Sequence, residues 1–448
     1  MLRRSSIAVR VALAAALAIC SASEAGAQPA TAPIADLLRD EGALAAWLAS
    51  HNRDAAAAAA RVSQAQAAAL ASRLRLNPQV TATLGGIPTG DTNPPGLGWG
   101  DTVNYGASVS QIFEIGKRQP RSAAAQFRLS SEQQALSSTL TGSMADAREA
   151  MARVLHARSR KSALTEALDT MRQILDLQRV RLERGDLSGI DFDRLQLDAQ
   201  VVDADLAQAT ADLTDALVTC QNVLFASCDG TPGDLDAIST LLQAPDGLLP
   251  PGWDAQLPER PDVKALAAEQ QAAIQDAVLA RRRRVPDPML SVGFTRDRFV
   301  ISGNNPRTLM VGVTVPLAVF DRGQHDAARA EAAARELDET QAALLARAQA
   351  DALALRDRAR TLSASLDALR QTALARATDV LTATTDAVNQ GELSTTDLLL
   401  ARRTRTDLSL KVMDLQLQLF LAQNALRQVL GLDAPVARRV QGATWPTP

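Results

Sequence analysis

The chain is written twice, and that repetition limits what it can fold into more than any other feature. Arg184-Gly185-Asp186-Leu187-Ser188-Gly189-Ile190-Asp191-Phe192 returns 206 positions later as Gln390-Gly391-Glu392-Leu393-Ser394-Thr395-Thr396-Asp397-Leu398. Each stretch is followed by an apolar seam with strict 4-3 spacing. The first is Val202, Leu206, Ala209, Leu213, Ala216, Cys220 and Val223; the second is Leu408, Val412, Leu415, Leu419, Ala422, Leu426 and Val429. The copies cover about 43–226 and 253–430, headed by Asn52-Arg53-Asp54 and Arg260-Pro261-Asp262. The chain therefore divides into a first repeat over 28–228, a Pro/Gly-rich connector over 229–261, a second repeat over 262–431 and a C-terminal tail over 432–448.

Residues 1–27 read as a signal peptide. Arg3 and Arg4 precede an apolar stretch that ends near Ile19, and Ala25-Gly26-Ala27 supplies the small-residue cleavage pattern. Its removal takes away Arg3, Arg4, Arg10 and Glu24, and the formal charge moves from −3 to −5. Leu17-Ala18-Ile19-Cys20 also raises lipidation at Cys20, although lipoprotein signals want a small residue where Ile19 stands. After Ala27 no apolar run approaches the ~20 residues of a membrane-spanning helix. Any membrane crossing must then be made by strands. Near-balanced charge gives no reason to expect a nucleic-acid partner.

Each copy opens with an Ala-rich helical stretch and then changes to period 2. Val80-Thr81-Ala82-Thr83-Leu84-Gly85 alternates, and Leu309, Val311, Val313 and Val315 alternate with Met310, Gly312 and Thr314. Two such strands per copy, near 77–118 and 287–320, are each about ten residues long, the length that crosses a tilted bilayer. Alternation alone leaves open a soluble hairpin packed on the helices. Long helical hairpins follow, near 120–226 and 324–430. From 324 to 390 there is neither Gly nor Pro, and ~65 residues at 1.5 Å each make a rod of ~100 Å. Gly185 and Gly391 are the expected residues past a helix end. Ser188 and Ser394 can cap the returning helices, with Asp191 and Asp397 in their first turns. Four strands cannot close, and open edges are not tolerated in lipid, so closure requires other copies; three chains supply twelve strands. The expected fold is thus an α+β membrane protein with four transmembrane β-strands per chain. They contribute to a trimeric twelve-stranded β-barrel, joined to a long α-helical coiled-coil tunnel.

These motifs resemble the TolC-type outer-membrane efflux family, and within it the CzcC-like heavy-metal efflux branch. The likeness is carried by Asn77-Pro78, Ser110-Gln111-Ile112-Phe113-Glu114-Ile115-Gly116-Lys117-Arg118, Arg260-Pro261-Asp262, the stretch Val315-Pro316-Leu317-Ala318-Val319-Phe320-Asp321-Arg322-Gly323-Gln324 and the two Gly turns. It implies a homotrimer in outer-membrane lipid whose helical tunnel stands in the periplasm of a Gram-negative cell. It also implies a periplasmic membrane-fusion adaptor and an inner-membrane RND-type pump as partners. Gly185, Asp186, Leu187, Ser188 and Asp191, with Gly391, Glu392, Leu393, Ser394 and Asp397, would then form the periplasmic tip, its pore and the adaptor contact. Gly116, Lys117, Arg118, Asp321, Arg322 and Gly323 would form the strand-to-helix corners. Asp397 matches a position whose carboxylates ring the pore. Leu400 stands where a second acidic ring would be, and Leu393 where some members carry a latching Arg. The resemblance also suggests the cargo: cobalt, zinc or cadmium cations.

The residues themselves leave several alternatives open. Asp191 and Asp397 also read as simple helix N-terminal stabilisers. Cys220 and Cys228 form a disulfide only if the helix ends between them; otherwise Cys220 is a small core residue. The run 281–284 reads as a solvated basic helix end or as an anionic-lipid contact. His51, His156 and His325 are far apart, and neither a zinc spacing nor a catalytic triad is present. No enzymatic activity, cofactor or resident metal is expected. The competing class is a pore-less periplasmic coiled-coil scaffold or adaptor. A nearer alternative keeps the duct and changes the cargo to drugs, other small molecules or a secreted protein.

Overall fold

The structure, a computed structural model, describes residues 31–92, 95–228, 249, 251–298 and 305–444. The signal peptide, Cys20 and most of the connector lie outside the described residues. In chain order the elements are α1 (Ile34–Arg39), α2 (Glu41–His51), α3 (Arg53–Ser72), β1 (Gln79–Gly85), α4 (Trp99–Thr102), β2 (Asn104–Ile112), α5 (Arg118–Glu183) and α6 (Gly189–Leu224). A 3₁₀ turn, Trp253–Glu259, leads into the second copy: α7 (Pro261–Arg282), β3 (Met289–Asp297), β4 (Arg307–Thr314), α8 (Gln324–Ala368), α9 (Ala375–Asn389) and α10 (Thr395–Leu430). A final helix, α11, spans Ala434–Thr444.

Two departures from the sequence reading stand out. The strands run to seven, nine, nine and eight residues rather than about ten. The second long helix is not uniform either: Leu369–Leu374 is a π-helical segment between α8 and α9. Its counterpart α5 is α-helical over 66 residues, about 100 Å at 1.5 Å per residue.

Contacts divide the chain into two compact units. The first holds Met1–Trp47, Asp146–Gln243 and Ala364–Phe420. It contains both Gly turns and the cysteines. The second holds Leu48–Ala145, Ala244–Ser363 and Leu421–Pro448, and contains the sheet.

In the second unit the repeat heads start the helices before each strand pair, by different chemistry. The side chain of Asn52 accepts from the amides of Asp54 and Ala55 at 2.8 and 3.0 Å, an N-cap for α3. Pro261 opens α7 at the position where a missing N–H costs nothing. Arg260 grips Asp262 and donates to the Val429 carbonyl at 2.7 Å, near the end of α10. Small side chains let helices approach closely, as in the cluster of Ala55, Ala58, Ala59, Leu136, Leu140 and Ala437. Ala437 shows that the expected tail contains a packed helix. A second cluster joins Leu257, Ala348, Ala352, Leu426 and Leu430. The strands pair antiparallel in the order β1-β2-β3-β4.

The returning helices α6 and α10 turn their seams inward; α10 belongs to the first unit as far as Phe420. Along the two returning helices none of the fourteen 4-3 residues is exposed, as a coiled-coil seam requires. Helix α6 stops at Leu224 because Phe225 adopts a left-handed backbone, φ 55°. That stop brings the Cα atoms of Cys220 and Cys228 to 6.2 Å, and their sulfurs are bonded. Ser227 pairs with Thr31 and its carbonyl accepts from the Ala32 amide at 2.8 Å. The Trp47 indole donates to the Leu224 carbonyl at 3.2 Å.

Candidate functional site

The sheet sorts its side chains by face. One face carries the rows Val80–Val109–Val292–Val311 and Ala82–Ala107–Phe294–Leu309. Toward the helices the next row is Gln111–Leu290–Val313, and toward the hairpin loops it is Leu84–Tyr105–Arg296–Arg307. The other face carries Gln79–Ser110–Ser291–Gly312, Thr81–Ser108–Gly293–Met310 and Thr83–Gly106–Thr295–Thr308. The apolar side chains are bare: Val80 is 75% exposed and Leu309 73%. Soluble monomers rarely expose a contiguous apolar row of this kind, which marks a surface that meets protein or membrane. Nine residues at ~3.4 Å, tilted by ~40°, rise ~23 Å, close to the ~25 Å apolar band of outer-membrane barrels. Among the described residues β1 and β4 pair on one side only, which leaves two open edges.

At the helix side of the sheet, the corners are built differently in the two copies. In the first, Lys117 donates to Asp287 at 2.8 Å, and the other oxygen of Asp287 accepts from the Ile115 amide at 3.0 Å. Arg121 holds Glu114 with two guanidinium nitrogens and also donates to the Ser72 carbonyl at 3.1 Å. The Glu114 hydrogen bond raises the Arg121 pKa above its ordinary value, outweighing burial. In the second corner, the Gly323 amide donates to Asp321 at 2.8 Å. Gly323 has φ 76°, and a Cβ there would meet the Ala280 carbonyl oxygen at 2.1 Å. No other residue fits. The basic run is partly used: Arg281 pairs with Glu331 and Arg283 with Asp326, both on α8. Arg118 opens α5 and Arg322 stands in the corner before α8.

Both Gly turns in the first unit have one geometry. Gly185, φ 81°, donates to Leu182 O at 3.0 Å, and Asp186 to Arg181 O at 2.9 Å. Gly391, φ 78°, donates to Val388 O at 3.1 Å, and Glu392 to Ala387 O at 2.9 Å. This is the Schellman closure of a helix, set by glycine in the left-handed region. Ser188 Oγ then accepts from the Asp191 amide at 3.2 Å, and Ser394 Oγ from the Asp397 amide at 3.3 Å. The carboxylates answer by accepting from the serine hydroxyls, at 3.0 Å for Asp191 and 2.6 Å for Asp397. The turns diverge in charge. Asp191 is half-buried with Arg194 at 3.5 Å, whereas Asp397 is exposed and has Leu400 where that cation would stand. Leu187 is half-buried and Leu393 exposed.

His156 and His51 have local partners. His156 Nε2 lies 2.9 Å from Asp414, which Arg160 approaches at 3.5 Å, and Ser50 lies 2.8 Å from His51 Nδ1. Among the described residues no three His, Cys, Asp or Glu side chains converge on a metal position. Reading the sequence passed over two features. Arg296 and Arg307 become neighbours only through the strand register. Gln178, fully buried with neither amide atom bonded, stands at a position where the 206-residue offset places buried Thr384.

A bare apolar sheet face and two open edges, carried with two coiled-coil hairpins, define a chain built to be completed by a membrane and by other copies. The profile of the outer membrane efflux protein family matches it twice, over residues 46–224 and 254–432. The chain belongs to that family, whose members are channels of efflux systems. A curated relative, the cobalt-zinc-cadmium resistance protein CzcC of Cupriavidus metallidurans, is 27% identical over 300 residues, 65% of this chain and 69% of the relative. A solved structure of CusC, described in terms of transmembrane channel formation, aligns with TM-score 0.72 at 17% identity, covering 88% of this chain and 92% of CusC. The open-state MtrE outer membrane channel of Neisseria gonorrhoeae aligns with TM-score 0.71 at 17% identity, covering 89% and 88%. These structures share the fold.

Proposed function

We propose that the chain is the protomer of a homotrimeric outer-membrane duct that carries solute from a periplasmic adaptor and an inner-membrane pump to the exterior. The observation that carries this reading is the sheet: one apolar face, one polar face and two unpaired edges. With four antiparallel strands, β4 of one copy meets β1 of the next in antiparallel sense, so identical copies can close a ring. Two copies would give eight strands, whose interior side chains already fill. Three give twelve, the smallest multiple of four that leaves a lumen. The face of Ser, Thr, Gly and Gln, interrupted by Met310, lines that lumen, and the valine rows face lipid.

The Gly185–Asp191 and Gly391–Asp397 turns form the periplasmic tip in this reading, with Asp397 lining the pore and the turns touching the adaptor. The cargo inferred is a divalent metal cation of the cobalt, zinc and cadmium class, on the likeness to CzcC. The pump, rather than the duct, selects it. The test is the mass of the protein–detergent particle extracted from isolated outer membranes, followed by ion conductance in a planar bilayer. A trimer that conducts supports the duct. A monomer recovered from soluble periplasm would sink it and favour the scaffold. Cobalt, zinc and cadmium tolerance in a strain lacking the chain, with and without its return, tests the cargo.

A further inference from the structure

At the loop end of the sheet the register sets two like charges side by side. Arg296 and Arg307 are direct cross-strand partners on the apolar face, in the row Leu84–Tyr105–Arg296–Arg307. Opposed like charges destabilise a strand pair. Neither guanidinium has an ion pair among the described residues; residues 298–306, which join the strands, contain no Asp or Glu, and Asp297, next to Arg296, belongs to the other face of β3. The Arg296 guanidinium lies 6.0 Å from the centre of the Tyr105 ring, which supplies a cation–π contact but no negative charge. Below this row the face is Phe294 and Leu309, then valine. The arrangement is therefore a two-cation fork at the edge of an apolar wall. What complements it is an anion attached to a hydrocarbon body. Two guanidiniums can each donate a pair of hydrogen bonds to phosphate oxygens, and acyl chains can lie on the valine rows beneath.

We propose that Arg296 and Arg307 bind the phosphate of a phosphorylated amphiphile in the outer leaflet, with Tyr105 as the aromatic neighbour at headgroup level. This rests on the reading that the apolar face meets lipid with the hairpin loops outward. The anion cancels the repulsion that the strand register creates, so the lipid anchors the barrel at its outer rim.

The test uses purified full-length protein in detergent, stripped of bacterial lipid. It is titrated with diphosphoryl lipid A, with fully dephosphorylated lipid A and with inorganic phosphate, and bound ligand is read by native mass spectrometry. The wild type is expected to hold diphosphoryl lipid A at least about tenfold more tightly than the dephosphorylated form. Arg296→Gln with Arg307→Gln removes that preference, and Arg335→Gln, an exposed cation on α8, keeps it. Melting without lipid gives an independent readout: the double variant is at least as stable as wild type because the repulsion is gone, and only wild type gains on adding diphosphoryl lipid A. Equal affinity for both lipid A forms overturns the proposal. Inorganic phosphate binding as tightly as the lipid also overturns it, since the site would then hold a free anion. If fractionation finds the chain outside the outer membrane, the duct reading itself fails, whatever the titration shows.

Discussion

Reducing the Cys220–Cys228 bond should loosen one end of the chain far more than the rest. The bond closes a loop of eight residues. The chain-entropy relation gives about 8 cal/mol/K for such a loop, or about 2.5 kcal/mol at 25 °C. That loop carries Ser227, whose carbonyl accepts from Ala32 and whose backbone pairs with Thr31. Just beyond lie Ile34 and Leu37, both buried. Once the loop opens, the bridge has no fixed partner and the segment before α1 can leave. The assay is hydrogen exchange by mass spectrometry on a peptide covering 31–40, with and without a thiol reductant. Exchange through loop opening should accelerate by roughly 60-fold, the equivalent of 2.5 kcal/mol. A peptide from β3 should be unchanged. If reduction leaves the 31–40 peptide as protected as before, the loop does not hold the N-terminal segment.

Two glycines separate clash from backbone strain. Gly323→Ala meets a carbonyl oxygen as well as an unfavourable φ and should cost about 2 kcal/mol or more, whereas Gly185→Ala, with open space around it, should cost about 1 kcal/mol; melting temperatures decide. The Asp414 pKa lies below the ordinary carboxylate value because of its hydrogen bond to His156, aided by Arg160. Its stabilisation is therefore present above the unfolded carboxylate pKa of about 4 and is lost as pH falls through the lower folded value. Asp414→Asn should thus be less stable than wild type at pH 7, with the gap closing in acid, as thermal melts from pH 7 to pH 3 would show. Gln178→Leu replaces a buried amide without partners and should gain about 1–3 kcal/mol; a lower melting temperature would contradict this. In reconstituted channels, Asp397→Asn should shift the reversal potential away from cation preference, and Asp191→Asn, beside Arg194, should do so less. Equal effects would remove the distinction between the two turns.

Local chemistry made the turns and caps legible from sequence, because Gly391, Ser394 and Asp397 need only their own neighbours to specify a Schellman closure and an N-cap. The family and the seams were legible for a related reason: a 4-3 pattern buries one stripe whatever it packs against. The cysteine pair was not legible. Bridging it depends on a helix stop at Phe225, a non-Gly residue in the left-handed region, and no propensity rule signals that. The tail was read as plain chain because the packing of Ala437 against Leu136 and Leu140 is a long-range contact. Period 2 showed that each strand has two faces. It could not show that Arg296 opposes Arg307, since that depends on how the residues between β3 and β4 set the register.

Duplication alone would make the two halves equivalent, and the turn geometry nearly is. The side chains are not. In the first copy Arg194 partly neutralises Asp191, and Lys117 answers Asp287 at the corner. In the second, Asp397 has Leu400 in place of that arginine and Asp321 accepts from the Gly323 amide. In a threefold assembly each copy contributes both turns, so six similar hairpins would alternate around the tip. Asp397 would then recur three times around the axis with Leu400 in its first turn, and Asp191 three times with Arg194 beside it. The shared backbone of the repeat would supply a nearly sixfold scaffold, and differences between the copies, Arg194 against Leu400 among them, would reduce its electrostatics to threefold. On the proposed duct reading, Asp397 would attract cations more strongly than Asp191, which is the difference the two Asn substitutions measure.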